Sequence, residues 1–129
     1  MKSYRHPIIP PETYNDISKI LLSGKLSGFR GTPEGHSGGV YVQKLEDAFK
    51  DYFGVKYAVA MNSATACLQV ALLACDIGQG DEVIVTPYSF VSSASCVLMV
   101  GAKPVFCDIE DRTFNMDLHV FHGKTKAII

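Results

Sequence analysis

Apolar residues in this chain fall first at helical spacing and then in short unbroken runs. After Pro10 and Pro11, residues Ile17, Ile20 and Leu21 share one helical face, Glu12 lies in the opening turn, and Gly24 ends the run. That pattern predicts a first helix. Val42, Leu45, Phe49 and Phe53 repeat the three-and-four spacing, and Gly54 stands where a left-handed residue closes a helix. Beyond it the pattern changes. Apolar runs at 57–61, 82–86 and 103–107 read as strands, with apolar helices over 65–75 and near 90–100 between them. Gly78 and Gly80 precede the second strand, Gly101 precedes the third, and a turn through 108–115 follows. Strands alternating with helices predict an α/β layer structure with at least some parallel pairing.

Two features of this pattern point beyond the chain itself. The 65–75 helix is apolar nearly all round, with Gln69 its main polar side chain, and the 90–100 helix has only small serines for relief. A helix with no polar face is expected to be buried on every side, and a chain of 129 residues has little protein to cover two of them. The ending, Lys126-Ala127-Ile128-Ile129, reads as the opening of a buried strand with no turn after it. We therefore expect a truncated chain.

Composition narrows the function classes. A net charge of −1 with 47% hydrophobic residues fits a folded globular domain and leaves no basic stripe for nucleic acid. No apolar run is long enough for a bilayer, and Pro7, Pro10 and Pro11 interrupt what a signal peptide would need as its core. A cytoplasmic protein is the expectation. Cys67, Cys75, Cys96 and Cys107 form no C-x-x-C pair and lie in apolar segments, so all four are expected to be buried reduced thiols, without a metal site or disulfide framework.

The candidate chemistry sits at a strand-to-helix turn. In Y-A-V-A-M-N-S-A-T-A-C-L-Q-V-A-L-L an apolar run meets Asn62-Ser63-Ala64-Thr65 and passes directly into a helix. A helix start carries unpaired N–H groups and the positive end of the helix dipole. Small residues there let an anion approach, and the Ser63 and Thr65 hydroxyls add donors, which makes a phosphate cradle. The same residues also make an ordinary N-cap that binds nothing, and the turn alone does not separate the two. Six glycines between residues 23 and 39 predict a long adaptable loop, in which Phe29 and Arg30 are a candidate aromatic and cationic substrate contact. The four histidines, His6, His36, His119 and His122, form no pattern that nominates a base. Gly123-Lys124-Thr125 lacks the first glycine of a phosphate loop, Leu118 standing in its place, and no G-x-G-x-x-G occurs.

Taken in order, L-E-D-A-F-K-D-Y-F-G-V-K-Y-A-V-A-M-N-S-A-T-A-C-L-Q-V-A-L-L-A-C-D-I-G-Q-G-D-E-V-I-V-T-P-Y-S-F-V-S-S-A and then G-A-K-P-V-F-C-D-I resemble the DegT/DnrJ/EryC1/StrS sugar aminotransferases. The resemblance spans about 45–117, with a looser echo in the arm and glycine loop. It implies the N-terminal part of the large pyridoxal-phosphate-binding domain of the aspartate-aminotransferase fold, a mostly parallel mixed sheet flanked by helices. Residues 1–39 would then be the arm, first helix and glycine-rich loop, and 40–129 a partial cofactor-binding domain. In the family the turn matching Ser63-Ala64-Thr65 holds the cofactor phosphate; the middle position is often glycine, so Ala64 is a mild departure. An aromatic at the position of Phe90 stacks on the pyridine ring, and Ser89 stands where threonine is frequent. Asp108 matches an aspartate taken to be structural. The implied reaction moves an amine from glutamate or glutamine to a keto group on a nucleotide-linked sugar, in a homodimer.

The resemblance also places the Schiff-base lysine and the acid that pairs with the pyridine nitrogen beyond Ile129. No catalytic residue is therefore expected in this chain, and none of its lysines has the required sequence context. Two alternatives stay open: a dehydratase of the same fold with histidine in place of the lysine, or a split product without catalysis.

Overall fold

Proline at the first position and glycine after the last give α1 its bounds, Pro11–Ser23, with Gly24 left-handed at φ 64°. A second helix, α2 (Val40–Phe53), ends the same way at Gly54, so both expected helices form. In this computed structural model the described residues are 9–26, 28, 38–117 and 123–129. They divide into two units, 1–60 and 61–129. The first therefore groups α2, read from sequence with the α/β portion, with the N-terminal arm. Neither α1 nor α2 contains a buried residue. Within this unit Gly28 passes so close to Gly39 that an added Cβ would clash with the Gly39 backbone, so no side chain fits there.

The second unit holds α3 (Ala64–Ala74), β1 (Glu82–Val85), α4 (Ser92–Met99), β2 (Lys103–Phe106) and β3 (Thr125–Ile128). The three strands form one parallel sheet in the order β2-β1-β3. Glu82 is in register with Lys103 on one side and Thr125 on the other, and a register shift follows Glu82 on the β3 side. All four β1 residues are buried, which is why V-I-V reads as a continuous apolar run rather than an alternation. The core joins Val83 and Val85 to Leu72 and Ile77 from the α3 end and to Cys96, Val97 and Ala102 from α4.

Both helices end in the same device. Ile77 N–H donates to the Leu72 carbonyl and Asp76 N–H to that of Leu73, while Ala102 N–H donates to Val97 and Gly101 N–H to Leu98. The left-handed residue is Asp76 in one case (φ 55°) and Gly101 in the other (φ 79°). In each, the residue after the turn packs with the helix position it bonds to, Ile77 with Leu72 and Ala102 with Val97, all buried.

Three expectations need correction. Residues 57–61 are not a strand: Tyr57, Val59 and Met61 are exposed, alternating with half-buried Ala58 and Ala60. A strand exists by pairing, and among the described residues the segment's one backbone bond runs from Ala60 N–H to the Glu46 carboxylate. The two apolar helices are covered on one side only, leaving Val70 and Leu73 of α3 and Leu98 and Met99 of α4 exposed. Cys67 and Cys75 lie on the uncovered side of α3, so only Cys96 and Cys107 are buried thiols. The helices begin and end within two residues of their expected bounds. The ending read as a strand does form one, β3.

Burial raises the Cys96 thiol above its ordinary pKa, and burial raises Cys107 too, helped by the Asp117 and Asp108 carboxylates. The folded state thus favours the neutral thiols, and this contribution is complete below the thiol pKa of the unfolded chain and is lost as pH rises through the folded value. Cys96 and Cys107 should stay unalkylated in native protein at pH 8 and react on unfolding, as peptide mass spectrometry would register; rapid native labelling of either would contradict the described core. Ile84→Ala should cost about 2–5 kcal/mol in urea unfolding, against about 0.5 kcal/mol or less for Leu22→Ala, which removes an exposed side chain.

Candidate functional site

Strand order decides where the candidate residues meet. The segment after α3 returns to the start of β1, and α4 follows the end of β1 and returns to the start of β2. Both helices therefore run antiparallel to the strands, and both N-termini open at the sheet's carboxyl edge, where ligands of open α/β sheets bind. Ser63-Ala64-Thr65 begins α3, and Ser89 and Phe90 lie just before α4. All five thus come to one edge of one sheet. Phe29 and Arg30 lie outside the described residues, as do all four histidines.

The turn before α3 forms the N-cap and leaves further donors unused among the described residues. Ser63 is extended (φ −162°, ψ 156°), and its Oγ accepts the Ala66 N–H at 3.1 Å, so Ser63 is an N-cap worth about 1 kcal/mol to the helix. The Ser63 carbonyl accepts the Cys67 N–H as the first intrahelical bond. Between these, the N–H groups of Ala64 and Thr65 have no acceptor among the described residues. The Ser63 hydroxyl also keeps its own proton to donate. Capping the third amide leaves the first two pointing out of the helix end, toward any anion in line with the axis. Ser63 and Ala64 are exposed and Thr65 is half-buried.

At the second turn, Pro87 supplies no N–H, and Tyr88 N–H turns back to Thr86 Oγ1 at 3.1 Å. Ser89 Oγ and Ser93 Oγ are 3.2 Å apart and share a hydrogen bond, tying Ser89 to the first turn of α4. Phe90 is 76% exposed, so it is not the core aromatic that its position at a helix start would otherwise suggest. A flat ring left bare beside an anion-attracting turn suits a ligand that is aromatic and phosphorylated.

One aromatic at this edge carries no signal in the sequence reading. After β2 the chain folds into a short hairpin: Ile109 bridges Met116, Asp117 N–H donates to the Asp108 carbonyl, and Glu110 N–H donates to that of Asn115. Asp108 also accepts the Ile109 N–H on its carboxylate, which fits a structural role. Near the tip, Phe114 is left-handed (φ 57°), a conformation that costs a side chain with a β-carbon about 1–2 kcal/mol. Its ring stacks on Tyr88, centroids 5.7 Å apart and planes 28° from parallel. The one cue was an aromatic ring inside a turn, next to an asparagine that suits the left-handed position better.

Five of the eight described lysines are engaged elsewhere. Lys19 pairs with Asp16, Lys50 with Asp47 and Lys103 with Glu82, while Lys44 and Lys56 lie over the rings of Tyr41 and Tyr57. The Asp47 hydrogen bond raises the Lys50 pKa, the opposite of what a nucleophilic amine requires.

Known proteins resemble this chain in sequence and fold. The chain is 42% identical to the spore coat polysaccharide biosynthesis protein SpsC of Bacillus subtilis over 98% of its own length and 31% of that protein's. It is 44% identical to the GDP-perosamine synthase of Caulobacter vibrioides over 70% of this chain and 26% of the synthase. The crystal structure of an aminotransferase from Psychrobacter cryohalolentis superposes with a TM-score of 0.81 at 36% identity, covering 97% of this chain and 31% of that one. The chain thus spans less than a third of the proteins it matches. Residues 32–129 match the DegT/DnrJ/EryC1/StrS aminotransferase family, and with that match covering most of its length the chain belongs to that family.

Proposed function

We propose that this edge is the phosphate-and-ring portion of a pyridoxal 5'-phosphate site in an aminotransferase acting on a nucleotide-linked keto-sugar. Pyridoxal 5'-phosphate is the cofactor of the family. The observation that carries the reading is the pair of amides at Ala64 and Thr65, unpartnered among the described residues, on the same sheet edge as a bare Phe90 ring. Those donors and that ring fit the cofactor's two recognisable parts, a phosphate ester and a flat aromatic ring. When bound, the cofactor supplies the electron sink that lets an amine pass between donor and acceptor.

The chain's own residues divide the remaining work. The Ala64 and Thr65 amides, with the Ser63 and Thr65 hydroxyls, bind a phosphate dianion at the positive end of α3. Phe90 covers one face of the ring and keeps water from it. Ser89, held by Ser93, presents a hydroxyl beside that face. The lysine that holds the cofactor and the acid for the pyridine nitrogen belong, in this reading, to polypeptide outside these 129 residues, consistent with the engagement of five of the described lysines elsewhere. A synthase named for a GDP-linked sugar among the relatives supports a nucleotide-sugar acceptor. Glutamate or glutamine as donor, a homodimer and a cytoplasmic location complete the proposal, and among the described residues no helix is long and apolar enough to cross a membrane.

Ser63→Asp separates a cradle from a cap. Aspartate caps a helix as well as serine does, so stability should hold, while its charge opposes a phosphate. Titrated in the full-length polypeptide, the variant should bind pyridoxal 5'-phosphate at least about tenfold more weakly and bind pyridoxal, which has no phosphate, unchanged. Equal losses for both ligands would remove the phosphate assignment. Borohydride reduction of the loaded protein followed by peptide mapping should label no lysine among those described here; a label on any of them would overturn the assignment of that residue elsewhere.

A further inference from the structure

We propose that Phe114 is a positioning residue for the cofactor ring: stacked on Tyr88, it holds the 86–91 turn so that the Ser89 hydroxyl and the Phe90 face meet the ligand in one orientation. The proposal rests on reading Phe90 as part of the cofactor site. It starts from a conflict of local rules. Phe114 occupies a left-handed backbone position that glycine or asparagine fills without strain, yet asparagine stands one place later, at Asn115. Local violations of this kind gather where a site needs them.

Several bonds force the conformation. Phe114 N–H donates to the Glu110 carbonyl at 2.9 Å and Glu110 N–H to that of Asn115 at 2.9 Å. The Thr113 hydroxyl donates to the Glu110 carboxylate at 2.7 Å and accepts the Asn115 N–H at 3.2 Å. The hairpin base is fixed by the Asp117 N–H bond to Asp108 and by the buried Cys107 thiol, which donates to the Asp117 carbonyl. Core burial does not explain the effort, because Phe114 stays 59% exposed and Tyr88 67% exposed. What the hairpin achieves is one ring laid against another.

That contact falls where the turn is otherwise lightly held. Between the end of β1 and the start of α4, the described bonds on the turn's own donors are Tyr88 N–H to Thr86 and the Ser89–Ser93 hydroxyl pair, both local. The Phe114 ring is the long-range contact on Tyr88. Tyr88 is adjacent to Ser89 and two residues from Phe90, so a ring that fixes Tyr88 restricts both.

Three variants of the full-length protein test this. Phe114→Asn keeps the left-handed backbone and removes the ring; Phe114→Tyr keeps the ring; Phe90→Ala checks the underlying site. Readouts are urea unfolding of the cofactor-free protein, cofactor affinity by absorbance titration, and the visible circular dichroism of bound cofactor, which reports ring orientation. Phe114→Asn should leave apo stability equal or higher, weaken binding about fivefold and diminish the dichroism, with Phe114→Tyr matching the parent. If Phe90→Ala weakens binding and Phe114→Asn changes neither affinity nor dichroism, the positioning role is wrong while the site stands. If stability and affinity fall together in Phe114→Asn, the contact is structural and the proposal fails. Should Phe90→Ala leave affinity intact, the site reading and this proposal fall together.

Discussion

Everything at the carboxyl edge depends on the burial of β1. Val83, Ile84 and Val85 are fully enclosed, with a parallel neighbour on each side and α3 and α4 over the core residues. Burying apolar surface contributes about 25 cal/mol per Å², and in so short a unit no other strand offers as much. Once β1 is central and its neighbours are parallel, each connecting helix must run backwards along the sheet. The positive ends of α3 and α4 then open together, without any attraction between them. The turn at Ser63 and the turn at Phe90, separate in sequence, become neighbours because one strand is too apolar to lie at an edge.

Within that frame, the helix cap and the proposed ligand contacts draw on the same turn. Ser63 closes the helix through one lone pair and retains a hydroxyl proton; the amides it does not reach are the ones an anion would meet. A helix start with no cap would fray, and one whose amides were all capped would bind nothing. The alanine at position 64 adds a methyl group to an exposed turn that often holds glycine in related proteins, and the exposed side chain leaves the amide directions unchanged.

What the sequence made legible was local. The ends of α1 and α2 follow from Pro11, Gly24 and Gly54, and β1 from an unbroken V-I-V, because each signal acts within a few residues. The Ser63 turn was legible as chemistry but divided between two uses, and Phe90 acquired a role only through resemblance. Non-local features were less accessible. Residues 57–61 have a strand's composition and even its alternating exposure, yet a strand needs a neighbour, and composition does not supply one. Cys67 and Cys75 were expected inside because their helix is apolar throughout, although burial depends on what lies opposite each face. The left-handed backbone at Phe114 was not legible either, because bonds among Glu110, Thr113, Phe114 and Asn115 impose it against the residue's own preference.

The hairpin after β2 also bears on how the sheet assembles. β1 meets β2 across a single helical connection, whereas its other partner, β3, begins about twice as far along the chain from Glu82. Joining distant segments carries an entropic cost that rises with the free chain between them, and such pairings tend to form late. Residues 108–117 close on themselves through neighbouring bonds, which takes about half of the segment between β2 and β3 out of that search. The loop that places an aromatic ring at the sheet's edge thereby also shortens the free chain that has to close before β3 pairs with β1.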